Sequence, residues 1–170
     1  MNDHLIEQYK LLYEQKPSHG ASSQKIFNIV LQVINQYKPN TILDYGCGRS
    51  RLLDMISEQI DVNIFKYDPV FEMYSQLPKQ KVDFVICTDV LQHVPELELF
   101  DNLFEISQLG DKCFFKIKCS DHPTCLPNGE PTNCTVHDKQ WWKNFLYKYY
   151  SSIEEIFCSD SSSVIFLAKN

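Results

Sequence analysis

At 170 residues, with 44% apolar and 13% aromatic content, the chain has material for one compact two- or three-layer domain (residues 1–170) and too little for a second. A net charge of −6 leaves no basic face for gripping a phosphate backbone, so no nucleic-acid partner is expected. The opening "MNDHLIEQYK" lacks the apolar core of a targeting segment and no later run is long enough to span a bilayer, which reads as a soluble, cytoplasmic protein with no membrane partner.

Apolar residues at helical spacing predict a helix over Leu5 to Gln15 and another over Ser22 to Tyr37 behind a Ser cap, so residues 1–38 form an N-terminal helical segment. "TILDYG" (Thr41 to Gly46) reads as a short strand running into glycines, "SRLLDMISEQI" as a helix and "VNIFKYD" (Val62 to Asp68) as a second strand, a βαβ unit. "VDFVIC" (Val82 to Cys87) is a buried strand, Glu96 to Leu109 a helix closed by Gly110, and "CFFKIKC" (Cys113 to Cys119) the next strand. After an irregular stretch come the helix "DKQWWKNFLYKYY" and two runs, Ile153 to Ser159 and Ser163 to Lys169, close enough to form a hairpin. The alternation predicts an α/β fold with a mostly parallel sheet that ends in an antiparallel pair.

The irregular stretch, "CSDHPTCLPNGEPTNCTVH" (Cys119 to His137), holds three of the seven cysteines and two of the five histidines. Cys119-x2-His122-x2-Cys125 followed by Cys134-x2-His137 resembles a zinc knuckle without reproducing a standard ligand pattern, and we read it as metal-free. An odd number of cysteines with no export signal points to reduced thiols, with Cys87, Cys113 and Cys158 serving as small hydrophobes. Loops this long inside compact domains are usually functional or mobile.

The chemistry gathers at the end of the first strand. In "ILDYGCGRSRLL", Asp44 precedes Gly46 and Gly48, whose backbone is able to approach a ligand closely. A dinucleotide places a doubly charged pyrophosphate at such a turn, where Asp44 would repel it, whereas a ligand carrying an ammonium and a sulfonium would be attracted. Asp68, 24 residues further on, suits a ribose diol, because a carboxylate accepts two hydroxyl hydrogen bonds.

"ILDYGCGRS", "YDP" and "VDFVICTDVLQHVP" together resemble motif I, the acidic end of strand two and the fourth-strand motif of class I S-adenosylmethionine-dependent methyltransferases. The resemblance implies a Rossmann-like sheet whose antiparallel last strand lies between the two before it. It implies S-adenosyl-L-methionine as cofactor, contacted by Ser23, Asp44, Tyr45, Gly46, Cys47, Gly48, Tyr67, Asp68, Pro69, Thr88, Asp89 and Val90. Only fourteen residues separate Asp68 from Asp83, so the family's third strand is expected to be short or absent, and the adenine pocket has to be built from Pro69 to Gln80. The abbreviation also admits an alternative reading, a non-catalytic binding or scaffold protein of the same fold.

The C-terminal half is similar to small bacterial methyltransferase-domain proteins, some linked to surface-polysaccharide (capsule) modification, through "VICTDVLQHVP", a cysteine, "LPNGE", "CT" and "WW" in that order. There is no Asn/Asp-Pro-Pro-aromatic motif after the fourth strand, no Pro-Cys nucleophile and no evident acidic triplet, which leaves an oxygen on a small polar molecule as the expected acceptor. His93 is the candidate general base and His137 its rival. Residues 120–138 read as an acceptor-side lid, with His19, His122, Asn128, Glu130, Thr135 and Trp141 as candidate substrate contacts.

Overall fold

The computed structural model describes residues 2–170. Helix α1 (Asp3–Gln15) begins where the Asn2 side chain accepts a hydrogen bond from Leu5 N at 2.9 Å, an N-cap that satisfies one of the otherwise orphaned first-turn donors. The second helical stretch is divided. Ser22–Ile26 forms a 3-10 turn and α2 runs over Phe27–Tyr37; Ser22 does not cap it, because its hydroxyl donates to Asp89 instead.

Six strands follow: β1 (Thr41–Tyr45), β2 (Asn63–Tyr67), β3 (Phe84–Thr88), β4 (Lys112–Lys118), β5 (Ser152–Ile156) and β6 (Ser163–Lys169). They form one sheet in the order β2-β1-β3-β4-β6-β5, parallel as far as β4 and antiparallel at β4–β6 and β6–β5. This is the expected Rossmann-like sheet, with the last strand inserted beside β4. Between β2 and β3 the chain forms a 3-10 turn at Glu72–Tyr74, so no third strand is present among the described residues and β2 is an edge strand.

Helices α3 (Leu52–Ser57), α4 (Leu99–Leu109) and α5 (Lys139–Leu146) complete the layers. Alternation along the strands divides the core. Leu43, Val85, Cys87 and Phe115 pack under α4 and α5, while Ile42, Phe84, Ile86 and Phe114 pack under α2 and α3. A third cluster joins Leu5, Tyr9, Leu12 and Tyr13 of α1 to Val70 beyond β2 and to Leu126 of the 119–137 segment. Helix α1 therefore lies across the C-terminal ends of the strands. Cys87 and Cys113 are buried as expected, but Cys158 is only half-buried and borders a cavity, because β5 ends at Ile156 before reaching it.

Candidate active site

Strand order reverses between β1 and β3, and ligands in open α/β sheets bind at such a switch point, beyond the carboxyl ends of the strands. Two cavities lie there, of about 240 and 710 Å³, sharing Tyr9, Tyr13, Gly46, Asp89 and His93 in their walls. The smaller extends past Tyr45, Tyr67, Asp68 and Val90 to α4. The larger extends past Ser22, Ser23, Gly48, Thr88 and Lys116 to the 119–137 segment.

The turn between them is fully hydrogen-bonded. Gly46 N and Cys47 N donate to Tyr67 O (2.7 and 3.0 Å), Gly48 N to Asp68 Oδ2 (2.8 Å), Arg49 N to Gly20 O (3.1 Å) and Ser50 N to Cys47 O (2.9 Å). Leu52 N at the start of α3 donates to Ser50 Oγ (2.9 Å), which also accepts from Ser23 Oγ (2.6 Å). The protein itself uses each of these amides. Gly46 has a left-handed backbone (φ 76°), and a Cβ built on it would fall inside the Val90 side chain.

Asp44 is 1% exposed and its Oδ2 has no hydrogen-bond partner. Burial raises its pKa to about 7; Lys66 on the paired strand opposes the shift, but the Lys66 ammonium is held by both oxygens of Asp54 at 2.8 Å. Asp68 is buried, with its carboxylate anchored on Gly48 N and Val70 N and its pKa raised by burial against those two bonds. Asp89 has φ 57° and pairs with Lys116 while accepting from Ser22 Oγ at 2.7 Å.

His93 has one definable tautomer. Its Nδ1 lies 2.7 Å from Thr132 O, and a carbonyl only accepts, so the neutral ring carries its proton there and its lone pair on Nε2, 3.3 Å from the Gln92 amide nitrogen. Burial depresses the His93 pKa to about 4, despite the bond to Thr132 O, which acts in the opposite direction. The ring is therefore neutral at ordinary pH. Tyr9 meets it edge-on at 5.7 Å and donates to the same Thr132 O at 3.0 Å.

The remaining sequence-derived candidates separate into two groups. His19 and His122 border the larger cavity, as do Ser23, Cys47 and Thr88, while Tyr45, Tyr67, Asp68, Pro69 and Val90 border the smaller. Asn128 and Glu130 are exposed and bond each other, and Asn128 N donates to Gln8 Oε1. Thr135 is buried and donates to Val94 O at 2.7 Å. His137 stacks on Trp141 at 3.7 Å and meets Glu96 at 2.9 Å, with none of the three bordering either cavity. Lys25, Lys116, Lys118 and Gln92 border the larger cavity and were not expected. Lys116 and Lys118 alternate with Phe115 and Ile117 in β4, and that period-2 pattern is the signal that places them together on one face. Among the described residues, no three His, Cys, Asp or Glu side chains converge as metal ligands.

The Methyltransferase domain family profile matches residues 20–162, most of the chain. The chain belongs to this family. None of the curated proteins matches it in sequence. Among solved structures, it is similar to the Burkholderia thailandensis 1,6-didemethyltoxoflavin-N1-methyltransferase with bound 1,6-didemethyltoxoflavin and S-adenosylhomocysteine, at 12% identity and TM-score 0.70 over 97% of this chain and 87% of that one. The methyltransferase domain of a bacterial Hen1, CtHen1, matches at 13% identity and TM-score 0.66 over 87% of this chain and 99% of that one. The N-terminal domain of EvdMO1, solved in the presence of S-adenosylhomocysteine and D-fucose, matches at 12% identity and TM-score 0.62 over 84% and 82%. At these identities the likenesses establish a methyltransferase fold. In this methyltransferase-domain chain no helix among the described residues is long and apolar enough to cross a membrane.

Proposed function

We propose that this chain binds S-adenosylmethionine and transfers its methyl group to an oxygen of a small polar acceptor. The observation that carries the reading is Asp44, a buried carboxylate with an unpartnered oxygen beneath a turn that has no amide to spare from Gly46 to Ser50. Such a turn has nothing to offer a pyrophosphate, and the orphaned carboxylate calls for a cation. The residues fit the cofactor in this reading: Asp68, in the wall of the smaller cavity, toward its ribose hydroxyls, with Thr88, Asp89 and Val90 in the cavity walls, and Asp44, which borders neither cavity but precedes by two residues the Gly46 that borders both, toward its ammonium. When bound, S-adenosylmethionine supplies an electrophilic methyl on a sulfonium. The chain's part is alignment, because an in-line displacement gains most from holding its reactants in register.

His93 Nε2 is the proton acceptor in this reading, once the acceptor hydroxyl replaces the Gln92 amide that donates to it at 3.3 Å. A hydroxyl becomes strongly acidic as it is alkylated, so a neutral imidazole of low basicity is sufficient, and Thr132 O and Tyr9 fix its orientation. The larger cavity receives the acceptor. Lys116 and Lys118 in its wall are already held by Asp89 and Asp160, and its Lys25, with His19 and His122 as N–H donors, supports an acceptor that bears a phosphoryl or similar anionic group, in a chain that is acidic as a whole. With the resemblance of the C-terminal half, this supports a saccharide or a phospho or phosphoramidate precursor of a surface polysaccharide, methylated in the cytoplasm. A fold neighbour, the N-terminal domain of EvdMO1, was likewise solved in the presence of a sugar, D-fucose.

The test is calorimetric titration of S-adenosylhomocysteine into the wild-type chain and Asp44→Asn, followed by methyl transfer to a panel of sugars and sugar phosphates. Wild-type binding that Asp44→Asn abolishes is the expected result. Absence of wild-type binding would overturn the proposal and leave the non-catalytic alternative.

A further inference from the structure

The missing third strand has a structural consequence at the smaller cavity. Each parallel strand of a doubly wound sheet is ordinarily followed by a crossover helix that covers one face. After β2 there is only the 3-10 turn at Glu72–Tyr74, and Tyr45 of β1 and Tyr67 of β2, with ring centroids 5.0 Å apart, line a cavity. Helix α4, against which Tyr45 packs, contributes Asp101, Asn102 and Glu105 to the wall.

The chemistry of that wall is one-sided. Glu105 Oε1 accepts a hydrogen bond from Tyr45 Oη at 2.6 Å, and Asn102 Oδ1 lies 3.4 Å from the same hydroxyl while its amide donates to its own helix at Glu98 O. A carboxylate has about four lone-pair sites, and the tyrosine occupies one of them. The cavity is lined by four carboxylates and by no lysine or arginine, so it repels anions and calls for a neutral or cationic ligand edge that carries N–H donors. Val90, Val94 and the tyrosines make the rest of the wall apolar and aromatic, which suits a flat ring. Asp68, in the wall of the same cavity, marks where a sugar attached to that ring would lie.

We infer that Glu105 binds the exocyclic amine of the cofactor's adenine, oriented by Tyr45, so that α4 supplies the acidic contact to a pocket that the short β2–β3 connection leaves open. This assignment rests on the reading of the cofactor as S-adenosylmethionine. It moves the base contact from Pro69 to Gln80, where sequence reasoning placed it, to a helix 30 residues further along the chain, counted from Ser75 to Glu105.

The experiment compares S-adenosylhomocysteine with S-inosylhomocysteine, in which an oxo group replaces the amine, by calorimetric titration into unliganded protein. Wild type is expected to prefer the adenine ligand by about tenfold or more, the scale of a hydrogen bond to a charged partner. Glu105→Gln should bring the two affinities within about threefold, because the new amide donates to the oxo group as readily as it accepts from the amine. Glu105→Asp, which keeps the charge and shortens the reach, should weaken the adenine ligand selectively, and Asp101→Asn should leave the preference unchanged. Thermal unfolding without ligand establishes that each variant is folded. If wild type binds neither ligand, the cofactor reading itself fails. If wild type binds and the Glu105 variants keep its preference, the cofactor reading stands and the assignment to Glu105 is overturned.

Discussion

Lys116 and Asp89 form a partly buried ion pair at the edge of the larger cavity, and Asp89 makes it from a left-handed backbone conformation (φ 57°). Asp and Asn tolerate this region better than other non-glycine residues, so the strain is modest and the side chain is held where Ser22 also reaches it. Lys116→Met leaves Asp89 with Ser22 as its remaining bonded partner and should cost about 2–3 kcal/mol in urea unfolding, below the range for a fully buried pair. Asp89→Asn keeps the backbone preference and both neighbours within hydrogen-bonding reach, and should cost about half as much.

Asp44 gives a prediction with opposite signs for stability and binding. Its folded pKa of about 7 lies above the ordinary 3.8, so between these values the folded chain holds a proton that the unfolded chain has released. Stability of the unliganded protein therefore falls as pH rises through that window. Asp44→Asn abolishes the fall: at pH 8 it should melt at a higher temperature than wild type while losing S-adenosylhomocysteine binding. Binding to wild type near pH 6 should release a proton, measured as a dependence of the calorimetric heat on the buffer's ionisation enthalpy.

The strand-one end was legible in the sequence because its signals are local: an apolar run, an aspartate and two glycines within eight residues, Ile42 to Arg49. The missing third strand was legible as well, since fourteen residues cannot hold a helix and a strand. The 119–137 segment was not. Asn128 and Glu130 have the residue types of substrate contacts, yet their side chains bond each other across the turn at Gly129, and the Asn128 main-chain amide donates to Gln8, a partner 120 residues away. Nor does anything local in "LIEQYKLLYEQ" show that Tyr9 will share Thr132 O with His93. Such pairings depend on how α1 docks, which periodicity does not encode.

Gly46 and Val90 test the turn itself. Gly46→Ala meets two penalties, the left-handed backbone and the Val90 side chain, and should destabilise the protein by about 2–4 kcal/mol. Val90→Ala opens space and should restore part of this in the double variant, leaving about 1 kcal/mol of backbone strain. A double-mutant cycle in urea that found the two changes additive would mean that Val90 is not what excludes a Cβ there.

The two titrating groups of the site should separate in a pH profile. Asp44 has to be ionised to hold a cation, so kcat/KM for the cofactor should fall as pH drops below about 7, following the free protein. His93 is displaced the other way: its folded pKa of about 4 lies under the ordinary 6.5, so it stays neutral and able to accept a proton through most of that range. With a sugar phosphate that is turned over and saturating cofactor, kcat should stay level from about pH 8 down to about pH 5.5, where a solvent-exposed histidine would already have lost most of its free base. His93→Ala should lower kcat by about 100-fold or more at every pH in that interval, since it removes the acceptor and not only its titration. The same depressed pKa carries a cost to the fold: as pH drops from 6.5 toward 4 the unfolded chain takes up a proton that the folded one refuses, and stability declines over that window. His93→Gln should flatten that decline in equilibrium unfolding. A kcat profile that bends within that interval would instead take the role of base away from His93.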